Sequence, residues 1–267
     1  MTAPTISASL VKELREQTGA GMMECKRALQ ETGGDIEAAR TLLREKGMAS
    51  AAKRAGREAT EGLVGYRIAD GRGTLVGVGC ETEPVSKNDE FQAFAKKALD
   101  VAHEQGVEAL DQLEDDRVEL VAKMGENIVI AGSARFTPEG GQLVEGYVHP
   151  PANKLGVLAL LRGGTGDFAK KLSMHIAAAA PEWIAREDVP AEVVTSEREI
   201  YTNSDEVLSK PEQAREKIVE GMLNKRFFAA RVLTDQPWIH DDKKTVAQAL
   251  ADEGAEVLEF ERIALAG

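Results

Sequence analysis

The chain repeats itself, and that repetition limits its fold more than any other feature. Leu63-Val64-Gly65-Tyr66 is echoed loosely by Leu143-Val144-Glu145-Gly146-Tyr147, through Gly-Tyr at the same relative place. Leu75-Val76-Gly77-Val78 is echoed by Leu155-Gly156-Val157-Leu158, and Phe94-Ala95-Lys96-Lys97-Ala98-Leu99 by Phe168-Ala169-Lys170-Lys171-Leu172-Ser173. Each copy reads as strand, turn, strand, then a helix opened by a phenylalanine with a Lys-Lys pair on its wet side. A duplicated supersecondary unit predicts two related subdomains, each a sheet covered by helix. At 267 residues the chain can hold two or more such units.

Ahead of the repeat, residues 5–47 read as three short helices. Ser7 or Ser9 caps the first, whose apolar positions are Leu10, Val11 and Leu14, and Thr18-Gly19-Ala20-Gly21 ends it. Met22, Cys25, Ala28 and Leu29 give the second a face, closed by Gly33-Gly34. Asp35 caps the third, with Ile36, Ala39, Leu42 and Leu43 inside and Gly47 at its end. A bundle of about 40–45 residues is small for independent stability and suits a docking module. Met22 and Met23 are adjacent, so either one faces inward while the other offers a flexible thioether, or both belong to the core. Ala49 to Glu61 is polar and carries Lys53, Arg54 and Arg57. It reads as a linker or surface helix; a phosphate- or RNA-binding patch is the alternative, and would bind with steep salt dependence. The expected division is a head over 1–55, one core half over 56–140 and a second over 141–267.

Gly77-Val78-Gly79-Cys80 ends a buried strand, and Glu81-Thr82-Glu83-Pro84-Val85-Ser86-Lys87-Asn88 opens a stiff acidic loop before the next helix. Such a segment is either a presented working loop or an ordinary surface turn. Asp111 to Lys123 is an acidic helical stretch, followed by strands over Asn127–Ala131 and Ser133–Phe136. Met174 to Ala180 is a small-residue helix ended by Pro181. Within 197–236, a polar helix runs from Glu197 to Leu208 and projects from the body. A second helix carries Ile218, Met222, Leu223, Phe227 and Phe228. Gln236-Pro237-Trp238-Ile239 turns the chain, Thr245–Leu250 is a short helix, and Glu256–Ile263 is a closing strand.

The formal charge of −12 argues against broad nucleic-acid binding. It is uneven: residues 1–58 hold ten Lys/Arg against eight Asp/Glu, giving +2 and leaving −14 for the rest. The beginning of the chain is therefore the place to meet an acidic partner. Two cysteines, Cys25 and Cys80, make neither a disulfide framework nor a metal knuckle, and the four histidines are dispersed. No phosphate loop, dinucleotide fingerprint or nucleophile elbow is present. Glu81 and Glu83 fall on one face of an extended stretch and form the one candidate acid–base pair, without oxyanion donors or metal ligands nearby. No signal peptide or apolar 18-mer is found, so a cytoplasmic location is expected. The residues describe an α/β binding protein with a small helical head rather than an enzyme.

Several separated motifs also carry a family resemblance. Val11-Lys12-Glu13-Leu14-Arg15, Thr18-Gly19-Ala20-Gly21-Met22-Met23-Glu24-Cys25-Lys26, Ala28-Leu29 and Gly34-Asp35 resemble the N-terminal signature of bacterial translation elongation factor Ts. Glu81 to Asn88 resembles that family's Thr-Asp-Phe-Val loop. Met174-His175-Ile176-Ala177-Ala178 and Gln236-Pro237-Trp238 look like further landmarks, the last with Trp where Phe is common. The resemblance implies an α/β (α+β) fold: a ubiquitin-associated-like (UBA-like) three-helix head and a two-part core of helix-covered antiparallel sheets. A helical protrusion at about 197–236 is implied too. It implies guanine-nucleotide exchange on the GTPase elongation factor Tu, in GDP-bound and nucleotide-free forms, with no cofactor, metal or nucleotide of its own and no membrane or direct nucleic-acid contact. The head would hold the partner through Lys12, Leu14, Arg15, Met22, Met23 and Lys26. The loop Thr82, Glu83, Pro84 and Val85 would press on its magnesium and phosphate region, and Met174 and His175 would contribute from the core. A binding or chaperone-like module for the same GTPase, without strong exchange, is the competing expectation. One departure stands out: Glu83-Pro84 occupies the place of the usual Asp-Phe, which shifts the expected work from an inserted aromatic to carboxylate charge, head docking and the second half.

Overall fold

The computed structural model describes residues 6–265. Local signals set the head. The Ser7 hydroxyl caps α1 (Ala8–Thr18) by accepting from the Leu10 amide, and Gly19 ends it at φ 66°. α2 (Met22–Glu31) follows Gly21, and the Asp35 carboxylate caps α3 (Ile36–Arg54) by accepting from the Glu37 and Ala38 amides. Val11, Leu14, Cys25, Ala28, Leu29 and Ala39 close a small core between them. Gly47 does not end the third helix. α3 runs on to Arg54, and its bare Gly47 lies against the later helix Glu114–Met124, where an added Cβ would stand 3.5 Å from Ala122 Cβ. Tertiary contact overrides the glycine's weak helix propensity here.

The body is doubled. β1 (Glu61–Ala69), β2 (Arg72–Cys80) and β3 (Ile128–Phe136) form one antiparallel sheet in the order β1-β2-β3. β4 (Gln142–Val148), β5 (Leu155–Arg162) and β6 (Glu256–Ala264) form the other in the order β4-β5-β6. Between β2 and β3 lie the one-turn α4 (Glu83–Ser86), α5 (Asp89–Gln105), a 3-10 stretch Val107–Leu113 and α6 (Glu114–Met124). After β5 come α7 (Gly166–Ala179), α8 (Ala191–Thr202), α9 (Asp205–Leu208), α10 (Glu212–Met222), a π-helical turn Leu223–Phe228, α11 (Ala229–Arg231) and α12 (Val246–Glu253).

The two sheets lie face to face, β1 over β4, β2 over β5 and β3 over β6. Val64, Leu75, Ala134, Val144, Leu158, Leu160 and Ile263 fill the space between. Phe91, Phe94, Ala98 and Val121 of α5 and α6 cover the outer face of the first sheet, over Val76, Val78 and Ile128. Phe168, Leu172 and Ile176 of α7 with Val246 and Leu250 of α12 cover the second, over Val157, Ala159 and Leu161. The middle strands are buried on both sides, which is why they read as unbroken apolar runs.

The repeat is therefore present in element order, but its residue matches shift. Leu75 is opposite Tyr66, whereas the second hairpin is offset so that Gly156 pairs with Val148, the last residue of β4, and Leu155 lies beyond it. Asn88 Oδ1 accepts from the Phe91 amide and Thr165 Oγ1 from the Phe168 amide, so the capped third position makes Phe91, not Phe94, the partner of Phe168. Residues 128–136 form one strand, not two, bulged where Gly77 pairs Gly132 and Val78 pairs Ile130. A matching irregularity falls between Leu160 and Leu161 of β5.

α8 to α11 pack on one another around Val207, Val219, Met222, Leu223, Phe227 and Phe228. The polar helix runs over Ala191–Thr202 rather than Glu197–Leu208, and Asp205–Leu208 is a separate turn. Met222-Leu223 and Phe227-Phe228 are five residues apart, and the π turn keeps both pairs inward. The unit joins the body at a neck where Leu233 N donates to Trp183 O and Glu182 N to Arg231 O, each at 2.8 Å. Among the described residues no helix is long and apolar enough to cross a membrane.

Glycine allows the sheets to meet this closely: a Cβ on Gly156 would fall 2.5 Å from Val64 Cγ1 and 3.0 Å from Leu75 Cδ1. Gly156→Val is expected to lower unfolding stability in urea by about 1–3 kcal/mol through overpacking. Gly140→Ala, where nothing lies within 4 Å, is the control and should change it by less than about 0.5 kcal/mol.

Candidate functional site

The segment after β2 is a fastened helical turn rather than an open loop. Thr82 stands at the N-cap position of α4 and Pro84 in its first turn, where a missing amide costs nothing. The Glu126 carboxylate accepts from the Glu81 and Thr82 amides, at 3.1 and 3.0 Å, and from the Thr82 hydroxyl at 2.6 Å. Glu81 Oε1 in turn accepts from the Asn127 amide at 2.6 Å, with the Arg57 guanidinium 3.3 Å away. Asn127 Nδ2 donates to Arg57 O. Downstream, Asn88 caps α5. Thr82, Glu83 and Pro84 are exposed and Val85 half-buried, so the turn is presented with both ends tied.

This separates Glu81 from Glu83. Glu81 faces Arg57 and Asn127, while Glu83 points to solvent and pairs with Lys87 at 2.7 Å. A hydrogen bond from the Lys87 ammonium holds the Glu83 carboxyl below its usual range. The two carboxylates share no face, so no acid–base pair is assembled. Cys80, just before them, is buried, and desolvation pushes its thiol up to about 12, which keeps it neutral.

On the head, Met22 and Met23 are 55% and 57% exposed, so neither belongs to the core. Lys12, Arg15 and Lys26 are exposed as well. Leu14 is fully buried beneath them and supports the helices that present them. The turn before α2 sits beside the body: a Cβ on Gly19 would lie 3.0 Å from Lys123 Nζ, and that ammonium pairs with Glu90 in the first turn of α5 at 2.6 Å. Lys123 thus bridges the head and the helix that begins just past the Glu83–Ser86 turn. A cleft of about 510 Å³, lined by Leu43, Gly47, Val118 and Ala122 among others, runs beside the contact of α3 with α6.

Met174 and His175 lie on α7, on the outer side of the other sheet, and are not brought to this surface. Met174 is half-buried. His175 is wholly buried, stacked on Trp238 with ring centroids 5.2 Å apart. The Ile239 amide donates to its Nδ1 at 3.4 Å, so its proton sits on Nε2, which donates to Gln236 Oε1 at 2.9 Å. Gln236 Nε2 donates to Ala179 O and Ala230 O, so the histidine helps fasten the neck of the helical unit.

Sequence reading missed the residues that fasten the turn, Arg57, Lys123, Glu126 and Asn127, and the turn 149–154, whose Lys154 reaches Glu61 and whose Asn153 O accepts from Val64 N. Their partners are distant in the chain, so local pattern gives none of these contacts. Arg54 and Arg57 were visible as cations, but the first donates to Gly125 O and the second pairs with Glu81.

A helical head on a doubled, helix-backed pair of sheets, with an exposed turn fastened between strand and helix, defines a modular α/β protein. A family model described as Elongation factor TS matches residues 81–266. Elongation factor Ts of Idiomarina loihiensis is 43% identical over 267 residues, covering 96% of this chain and 90% of the relative. Those of Cronobacter sakazakii and Pasteurella multocida are 44% and 46% identical over 261 residues, with the same coverage. The chain belongs to the elongation factor Ts family, and so to the translation elongation factors.

Burial pushes the His175 pKa below its ordinary 6.5. Protonation would also set an Nδ1 proton against the Ile239 amide. The folded state therefore takes the proton less readily than the unfolded chain. Stability from neutral His175 is complete above about pH 6.5 and is lost as pH falls through the lower folded value. Melting temperature is expected to fall by several degrees between about pH 7.5 and 5.5. His175→Gln should flatten that slope; His103, lowered the same way by burial, acts in the same direction, and Glu261, raised by burial, opposes it.

Proposed function

We propose that this protein is a guanine-nucleotide exchange factor for elongation factor Tu, acting in the cytoplasm. Family membership supports the choice of partner. The observation that carries the mechanism is the exposed Thr82–Val85 turn, tied at both ends to a buried strand and a capped helix. The head docks on the GTPase through Met22 and Met23, with Lys12, Arg15 and Lys26 around them, while Leu14 holds their helices in place. The turn presses on the magnesium- and phosphate-binding region, where much of GDP's hold resides in phosphate, metal and main-chain donors. No bond is broken in such a step. The protein grips the emptied GTPase more firmly than the GDP-loaded one, and by linkage GDP weakens its grip by the same factor. A thousandfold weakening corresponds to about 4 kcal/mol of differential contact. GTP binding then ends the complex.

Pro84 has no aromatic ring to insert and Glu83 is already paired with Lys87. Those two facts favour a second reading, docking on the same GTPase without strong exchange. The rate of fluorescent GDP release from elongation factor Tu, with and without this protein, separates the two. Equal affinity for GDP-bound and nucleotide-free partner would overturn exchange.

With exchange measured, Met22→Ala and Met23→Ala together should raise the concentration for half-maximal release by about tenfold, with little change in the maximum rate. Glu83→Ala should instead lower the maximum by about three- to tenfold, and Pro84→Ala by less. Unchanged release in both turn variants would remove the turn from the mechanism.

A further inference from the structure

α4 has four residues, too few to hold itself in water. Its N-cap residue also gives it no help: the Thr82 side chain makes no capping hydrogen bond. That hydroxyl is committed to Glu126 Oε1 instead, at 2.6 Å. The orientation of the turn is thus set from outside it, by a residue 44 positions away in the Gly125–Asn127 corner between α6 and β3.

We propose that Glu126 is the positioning residue of the Thr82–Val85 turn. This rests on the exchange reading, since it names what aims the segment that reading puts to work. Glu126 Oε2 takes two successive main-chain amides, Glu81 and Thr82, and Oε1 takes the hydroxyl. Three bonds to one carboxylate fix direction as well as distance, and bonds to an ionised acceptor are the stronger kind. The exchange is reciprocal, because Glu81 Oε1 accepts the Asn127 amide at 2.6 Å. Among the described residues Glu126 has no cationic partner, and Arg57 pairs with Glu81. The Glu126 charge is met by main-chain and hydroxyl dipoles alone, so it is spent on holding the strand exit. Arg57 enters from the linker after the head, its own carbonyl accepting from Asn127 Nδ2 at 2.8 Å, which joins the linker to the same clamp. Glu126 is half-buried, and it acts through Thr82.

The test uses the full chain. Hydrogen exchange of the Glu81 and Thr82 amides in the free protein reads the clamp, and GDP release from elongation factor Tu reads its consequence. Glu126→Ala should lose protection at both amides and lower the maximum release rate by about tenfold or more, while half-saturation moves by less than about threefold because the head still docks. Glu126→Gln keeps a carbonyl oxygen for the two amides and an NH₂ for the hydroxyl, so protection and rate should stay within about threefold of wild type. If Glu126→Ala does not fold, Thr82→Val, which deletes the hydroxyl arm alone, should lower the maximum rate by about threefold. Retained protection in Glu126→Ala, an unchanged maximum rate, or Gln as impaired as Ala would each overturn the proposal. A wild-type chain that fails to accelerate release sinks the exchange reading instead, and the amide protection still decides the clamp.

Discussion

The close approach of β2 to β5 governs the rest of the molecule. Gly73 meets Val144 and Leu158, Gly77 meets Ile263, and Gly156 meets Val64 and Leu75, each at a distance that a side chain would close. With both middle strands facing inward across this contact, their other faces need cover, and α5, α6, α7 and α12 supply it. A strand buried on both faces exits at a fixed point and angle. Cys80 shows how dry that exit is, since burial first, with the Glu126 carboxylate adding to it, raises its thiol pKa to about 12. The next residues, Glu81 and Thr82, leave the sheet from a place that cannot drift, and the Gly125–Asn127 corner then sets their direction.

Much of this architecture is legible in the sequence, for a physical reason. Strand, turn, strand, helix is written in local periodicity and glycine punctuation, so the element order of both halves can be read directly. The finer alignment is not, because it depends on side-chain caps and on register across strands. Phe94 resembles Phe168 by its neighbours, yet the Asn88 and Thr165 caps put Phe91 in the equivalent place. Gly47 looks like a terminator until Val118 and Ala122 are seen beside it. The five-residue spacing of Met222-Leu223 and Phe227-Phe228 was on view, but only the π turn gives it meaning.

The candidate site divides in the same way. Thr82 to Val85 could be found because Pro84 and the flanking glycines mark a stiff exit from a strand. Met22 and Met23 stand out as an adjacent apolar pair, but the spacing puts one or both in the core, and the structure leaves both in solvent. Leu14 and His175 carry the family's pattern, but their burial makes them supports for surfaces rather than surfaces. Glu126 and Lys123 left no local mark and Arg57 only that of a surface cation, since their roles exist only once segments 24 to 46 residues apart, or more, are brought together.

The contacts that hold the turn and those that are free to be traded differ in kind. Glu126 binds two main-chain amides and a hydroxyl, so three charge-assisted bonds must part together for the turn to swing. The Glu83–Lys87 pair is fully in solvent, screened and made of two mobile side chains. A partner presenting a cation to Glu83 therefore displaces little, whereas moving the turn's backbone means breaking the clamp. The rigid part and the exchangeable part sit two residues apart. In the proposed exchange, contact energy gained at the tip would be spent on the partner as long as the Glu126 clamp holds this chain's own backbone.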